Sequence, residues 1–166
     1  VAWIPDKEVR QEFINCIEDG GWEEVMNSLR RSDELLKATL SGDSDTIAKI
    51  LEEVHQQNTS IISYNNELSL SVTLALAYYS AKNSYEIFRE FPSGKGFADL
   101  TFIPRRGVDF PAMVIELKYN NSADNAIELI KDKNYTEKLS AFSGEILLVG
   151  ISYNDSKGHS CIIEKL

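Results

Sequence analysis

A chain of 166 residues with 43% hydrophobic and 26% charged residues can bury one core with room for an appended subdomain, which excludes a fibrous or disordered polypeptide. Its net charge of −9 at pH 7 argues against tight nonspecific binding to phosphate backbones, because that affinity comes from Lys and Arg neutralising phosphates. The longest uncharged stretch, Leu68 to Ala81, is too short and too rich in Ser, Thr and Tyr to cross a bilayer, so no membrane partner is expected.

The chain opens on Val1, and Val1-Ala2-Trp3-Ile4-Pro5 lacks the basic and apolar regions of a secretory signal, which predicts a fragment of a longer cytoplasmic protein. Apolar residues at Val9, Phe13, Cys16 and Ile17 predict a helix from Lys7 that Asp19-Gly20-Gly21 ends. Trp22, Val25, Met26 and Leu29 predict a second before Arg30-Arg31-Ser32, and Leu35, Leu36 and Leu40 a third before Ser41-Gly42, all of them short. Ile47, Ile50, Leu51 and Val54 form the apolar stripe of a fourth, with Lys49, Glu52, Glu53 and Gln56 facing water. Residues 1–57 therefore read as an acidic helical subdomain, and residues 58–166 as the main domain. The acidity sits early: residues 1–92 hold 8 Lys/Arg against 16 Asp/Glu, leaving 9 against 10 of the totals of 17 and 26 for the rest. The second half can thus present Lys95, Arg105, Arg106, Lys131 and Lys133 to a polyanion.

After a loop at Gln56–Ser60, Asn65-Asn66 offers caps for a helix with no charge between Glu67 and Lys82, which predicts that a sheet and other helices cover its sides. Short runs bounded by Gly and Pro then predict strands at Tyr85–Phe91, Phe97–Ile103 and Ala112–Tyr119. An amphipathic helix follows at about Ser122–Leu139, then an apolar strand at Glu145–Ile151 and a last strand at His159–Ile163 after an Asn154-Asp155 turn. The order predicts an α/β fold with a mixed sheet flanked by helices. Cys16 and Cys161 lie far apart with no CxxC spacing, so they read as buried free thiols in a reducing cytoplasm. His55 and His159 stand in no ligand spacing and read as surface residues.

Strand alternation puts Val114, Glu116 and Lys118 on one face, so a carboxylate and an ammonium stand about 7 Å apart on an otherwise apolar strand. Asp99 is the lone charge between Lys95 and Arg105. A hairpin centred at Gly107-Val108 makes paired residue numbers sum to 215, which sets Asp99 opposite Glu116. Like charges across a sheet cost roughly 0.2–1 kcal/mol, a penalty that a bound divalent cation removes. Glu67, in the first turn of its helix, is within reach of such an ion. Each residue also has an ordinary structural role: an i,i+2 ion pair for Glu116 and Lys118, a turn residue in Asp99, a helix-dipole partner in Glu67.

Gly96-Phe97-Ala98-Asp99-Leu100 and Pro111-Ala112-Met113-Val114-Ile115-Glu116-Leu117-Lys118 resemble the G-[YF]-x-D-[IL] and P-x-x-[IV]-[IV]-E-x-K signature of PD-(D/E)XK nucleases. The closest group in that resemblance lies C-terminal to a bacterial AAA-ATPase-like domain, and Ile4-Pro5-Asp6-Lys7-Glu8-Val9-Arg10 is similar to its linker. The resemblance implies a restriction-endonuclease-like α-β-β-β-α-β core and a metal-dependent nuclease acting on DNA or RNA. It also implies an N-terminal ATPase-like domain in the full-length chain. In the family, Asp99, Glu116 and Glu67 would hold Mg²⁺ or Mn²⁺ and Lys118 would assist the attacking water. One departure stands out: the helix after Glu-x-Lys carries Leu129 where relatives commonly have Gln, although Tyr135 is kept. That departure supports the alternative of a catalytically silent module that binds nucleic acid or a protein.

Overall fold

A computed structural model of the protein describes residues 21–58, 70, 73–75, 77–93, 96–132, 139 and 144–166. The first predicted helix, Cys16, Glu67, Lys133 and Tyr135 lie outside them.

Helix α1 spans Gly21–Ser41 without a break, where the sequence pattern predicts two short helices parted at Arg30-Arg31-Ser32. None of these three residues breaks a helix, and Arg is among the better helix formers. Arg31 pairs with Glu34 one turn on at 3.0 Å and with Glu53 of the next helix at 2.8 Å. Ser32 turns inward, its hydroxyl donating to Ser80 Oγ at 2.9 Å and accepting from the Ser80 amide at 2.8 Å. What looks like a polar interruption is a polar contact of a continuous helix. Gly42 closes α1 at φ 77°, with its amide and that of Asp43 donating to Thr39 and Ala38 carbonyls, a left-handed C-terminal cap that suits glycine. Asp43 then caps α2 (Ser44–Asn58), accepting from the Thr46 amide at 3.1 Å and its hydroxyl at 2.6 Å.

Of the uncharged segment, Leu70, Thr73, Leu74, Ala77 and Tyr78 are buried, and a short 3-10 helix, Tyr79–Asn83, leads into the sheet. Five strands follow close to the predicted positions: β1 (Tyr85–Ser93), β2 (Gly96–Pro104), β3 (Ala112–Tyr119), β4 (Ile146–Asn154) and β5 (Gly158–Lys165). They lie side by side in chain order. Only β3 and β4 run parallel, and helix α3 (Ala123–Asp132) lies on the crossover between them. Among the described residues, no helix is long and apolar enough to cross a membrane.

Both faces of the sheet are covered, which is why β3 and β4 read as nearly continuous apolar runs. On one face Leu100, Phe102, Met113, Ile115, Leu117, Leu147, Val149 and Ile151 share a core with Leu35, Ile47, Leu51, Leu74 and Tyr78 from the helices before β1. On the other, Ala112, Val114, Ile146 and Leu148 pack against Ile127 and Ile130 of α3. Gly150 lets α3 come close: a Cβ there would stand 2.5 Å from the Ala123 carbonyl oxygen and 2.9 Å from Ile127 Cγ1.

Candidate functional site

The hairpin of β2 and β3 turns at Arg105–Val108, where the Val108 amide donates to the Arg105 carbonyl at 3.0 Å and Gly107 takes φ 85°. Its ladder pairs Leu100 with Ile115, Thr101 with Val114 and Phe102 with Met113, so partners sum to 215 as the turn position predicts. The paired ladder ends at Leu100–Ile115, and Asp99 and Glu116 are the next residues on the two strands. Leu100, Phe102, Ile115 and Leu117 belong to the first core, so Asp99, Glu116 and Lys118 face the other way, towards the side that α3 covers.

That face changes character along β3. Val114 is sealed under α3, Glu116 remains 4% exposed, and the Lys118 side chain opens to 16%. The neighbours on β4 follow suit, since Glu116 pairs with Gly150 and Lys118 with Ser152, whose hydroxyl lies 2.8 Å from that of Ser160 on β5. Polar groups therefore collect at the carboxyl end of the parallel pair, the end where ligands commonly bind to such sheets.

Two contacts fix the charged groups. Asp99 Oδ2 accepts the Leu117 amide at 2.8 Å, so its carboxylate completes the ladder just past the last Cα pair. Lys118 Nζ donates to Glu116 Oε1 at 3.1 Å in a mostly buried ion pair. Burying a charge is costly unless it is paired, and Lys118 supplies a pairing along the same strand. Two carboxylates on adjacent strands with an ammonium alongside make a hard, oxygen-rich corner.

The loop beyond β3 is braced. Asn120 adopts φ 52° and bonds through its side chain to the carboxylate and amide of Asp155, while its own amide donates to the Tyr153 carbonyl at 2.8 Å. Ser122 then caps α3, accepting the Asn125 amide at 3.2 Å.

The two histidines depart from expectation. His55 is 8% exposed and the His159 side chain is fully enclosed, so neither is a surface residue. With Glu52 they form a candidate metal-binding triad on the opposite face of the sheet. The Glu52-x-x-His55 spacing on one helix is visible in the sequence, but the third member arrives only through the packing of β5 on α2. Burial pushes both imidazole pKa values down against the opposing pull of Glu52.

No curated protein matches the chain. A family model described as the PD-(D/E)XK nuclease superfamily matches residues 71–163, a span that starts ahead of β1 and runs into β5. That match covers more than half of the chain, and the mixed sheet with flanking helices is the restriction-endonuclease-like arrangement, so the chain belongs to the PD-(D/E)XK nuclease superfamily.

Proposed function

We propose that the protein is a divalent-metal-dependent nuclease that hydrolyses phosphodiester bonds of DNA or RNA, with Asp99, Glu116 and Glu67 as ligands to Mg²⁺ or Mn²⁺. The observation that carries this reading is the placing of two carboxylates on neighbouring strands, one of them, Glu116, almost fully buried with Lys118 Nζ 3.1 Å from it. A sheet gains no stability from like charges set opposite each other. The donor set fits a hard cation, which prefers carboxylate oxygens and keeps several waters for exchange with a substrate phosphate. When bound, such an ion lowers the pKa of a water, polarises the phosphoryl group and offsets charge on the leaving oxygen.

The remaining chemistry belongs to the chain. The Leu117 amide holds the Asp99 carboxylate in one orientation, a pre-organisation that a rigid strand supplies better than a loop. Lys118 orients the attacking water or stabilises charge on the phosphoryl oxygens, and until substrate arrives its ammonium is held by Glu116. Glu67 enters this reading through the family resemblance, as does an N-terminal ATPase-like domain, which the Ile4–Arg10 stretch supports.

Lys118→Ala tests the assignment, because Lys118 is the one member of the set that does not hold the metal. Cleavage should fall by roughly 10²-fold or more, as on losing a general base or an oxyanion donor. Metal affinity, read by calorimetry, should stay or rise, whereas Glu116→Ala should lose both. Metal binding without cleavage of any single- or double-stranded DNA or RNA, with Lys118→Ala altering stability alone, would sink the catalytic reading. The second reading, a silent binding module, draws on Leu129 and on two cations already engaged: Arg105 lies 3.8 Å from Glu86, and Lys131 lies 2.6 Å from Glu164.

A further inference from the structure

We propose that Glu52, His55 and His159 form a second metal site, of the zinc class, that ties helix α2 to edge strand β5 on the face of the sheet opposite Asp99 and Glu116. Each offers one ligand atom, and the three atoms lie within 4.8 Å of one another. Glu52 and His55 are three residues apart on α2 and so project from the same side. His159 comes from β5, paired with Tyr153 of β4. Its Nδ1 already lies 2.7 Å from Glu52 Oε2, so ligation replaces one hydrogen bond and needs a small inward shift of His55.

The surroundings hold this geometry. The Tyr153 ring packs edge-on to His55 at 5.0 Å between centroids and against His159 at 4.8 Å. Gln56 donates to Glu52 Oε1 at 3.1 Å, the kind of outer contact that orients a ligating carboxylate. Gly158, at φ 74°, brings the β4–β5 turn so near that a Cβ there would lie 3.0 Å from Glu52 Oε2.

Two imidazoles and one carboxylate are the donors of a tetrahedral zinc site with one open position, and they suit Zn²⁺, Co²⁺ or Ni²⁺ far better than Mg²⁺. The Glu52 side chain is 36% exposed, which leaves solvent to fill that position. The proposal does not depend on the nuclease reading, since the two sites use different residues, opposite faces and different metal classes.

The test is calorimetric titration of Zn²⁺ into the chain under saturating Mg²⁺, paired with Co²⁺ absorption. One equivalent should bind to the parent and to Glu116→Gln alike. Affinity should fall by about 100-fold or more in His55→Gln, His159→Gln and Glu52→Gln, a ligand being lost in each. The Co²⁺ form of the parent should show the intense visible bands of tetrahedral nitrogen and oxygen ligation, without thiolate charge transfer from Cys161. This spectrum keeps the proposal falsifiable even where a histidine variant fails to fold. A weak octahedral spectrum, equal zinc affinity in parent and Glu52→Gln, or loss of the zinc in Glu116→Gln would each overturn it.

Discussion

Replacing Asp99 by Asn and by Ala separates its charge from its hydrogen bond. Asp99 Oδ2 accepts the Leu117 amide at 2.8 Å, a bond that the Asn amide oxygen can retain and Ala cannot. In EDTA, Asp99→Asn removes one of two like charges set across the sheet and should stabilise the protein by roughly 0.2–1 kcal/mol. For a chain of this length that is a rise in Tm of roughly 0.4–4 °C. Asp99→Ala makes the same gain but leaves the Leu117 amide without its acceptor, at a cost of about 1–3 kcal/mol, so it should melt below the parent. Mg²⁺ at about 100 times its Kd should then stabilise the parent by about 2.7 kcal/mol and both variants by much less. Thermal denaturation followed by circular dichroism reads all six conditions. Equal Mg²⁺ shifts in the three proteins would place the ion elsewhere, on the acidic helices for instance. An Asn variant that melts as low as the Ala variant in EDTA would show that Asp99 suffers no repulsion, and the argument from like charges would fail.

Gly150→Ala should cost roughly 1–3 kcal/mol in thermal or urea denaturation, because the atoms it meets are the Ala123 carbonyl and a packed Ile127 and helix α3 must retreat; an unchanged midpoint would contradict that close approach. Cys161, whose pKa burial pushes up to about 12 against a hydrogen bond with Ser44, should resist iodoacetamide at pH 8 until the chain unfolds, as mass spectrometry of labelled protein would show. In metal-free protein, burial lowers the pKa of His55 and His159 below the ordinary 6.5, so the unfolded chain takes up these protons first. Stability should be complete above pH 6.5 and decline as pH falls towards the folded values, by up to about 1.4 kcal/mol per pH unit for each histidine. Glu52, lowered from 4.5, adds its own loss only below that pH; a flat profile between 4.5 and 6.5 would refute burial of neutral imidazoles.

The strands and the hairpin register were legible because both depend on local chemistry. Alternation, the bounding Gly and Pro residues and a Gly107 turn are written within some 20 residues of chain, and Leu100 does pair with Ile115 as those signals require. The continuity of α1 was not legible, because Ser32 looks like a helix end until Ser80, 48 residues away, is seen to hold it inside the fold. Nor was the burial of the histidines. His55 stands on the border of the apolar stripe of α2, and whether it meets water or protein is decided by β5, the last strand to be made. Side chains whose environment comes from distant elements carry no local signature, whereas Asp99, Glu116 and Lys118 were visible as charges out of place in apolar strands.

The topology also changes what the net charge of −9 means. Asp33, Glu34, Asp45 and Glu53 ride on α1 and α2, which pack on the first core, while Asp99, Glu116 and Lys118 face the side of α3. Packed layers stand about 10 Å apart, so the outer surface of these helices is more than one such layer from the carboxylate corner. Between charges that interact through solvent, the Debye length of about 8 Å at physiological salt damps repulsion over that separation. The acidic side chains of α1 and α2 therefore lie on the far face and weigh little at the corner. What a phosphate would meet at the corner is set locally, by two carboxylates that a divalent cation would neutralise and by the ammonium of Lys118. On the proposed nuclease reading, affinity for a phosphate at this corner would depend on the bound metal more than on long-range steering.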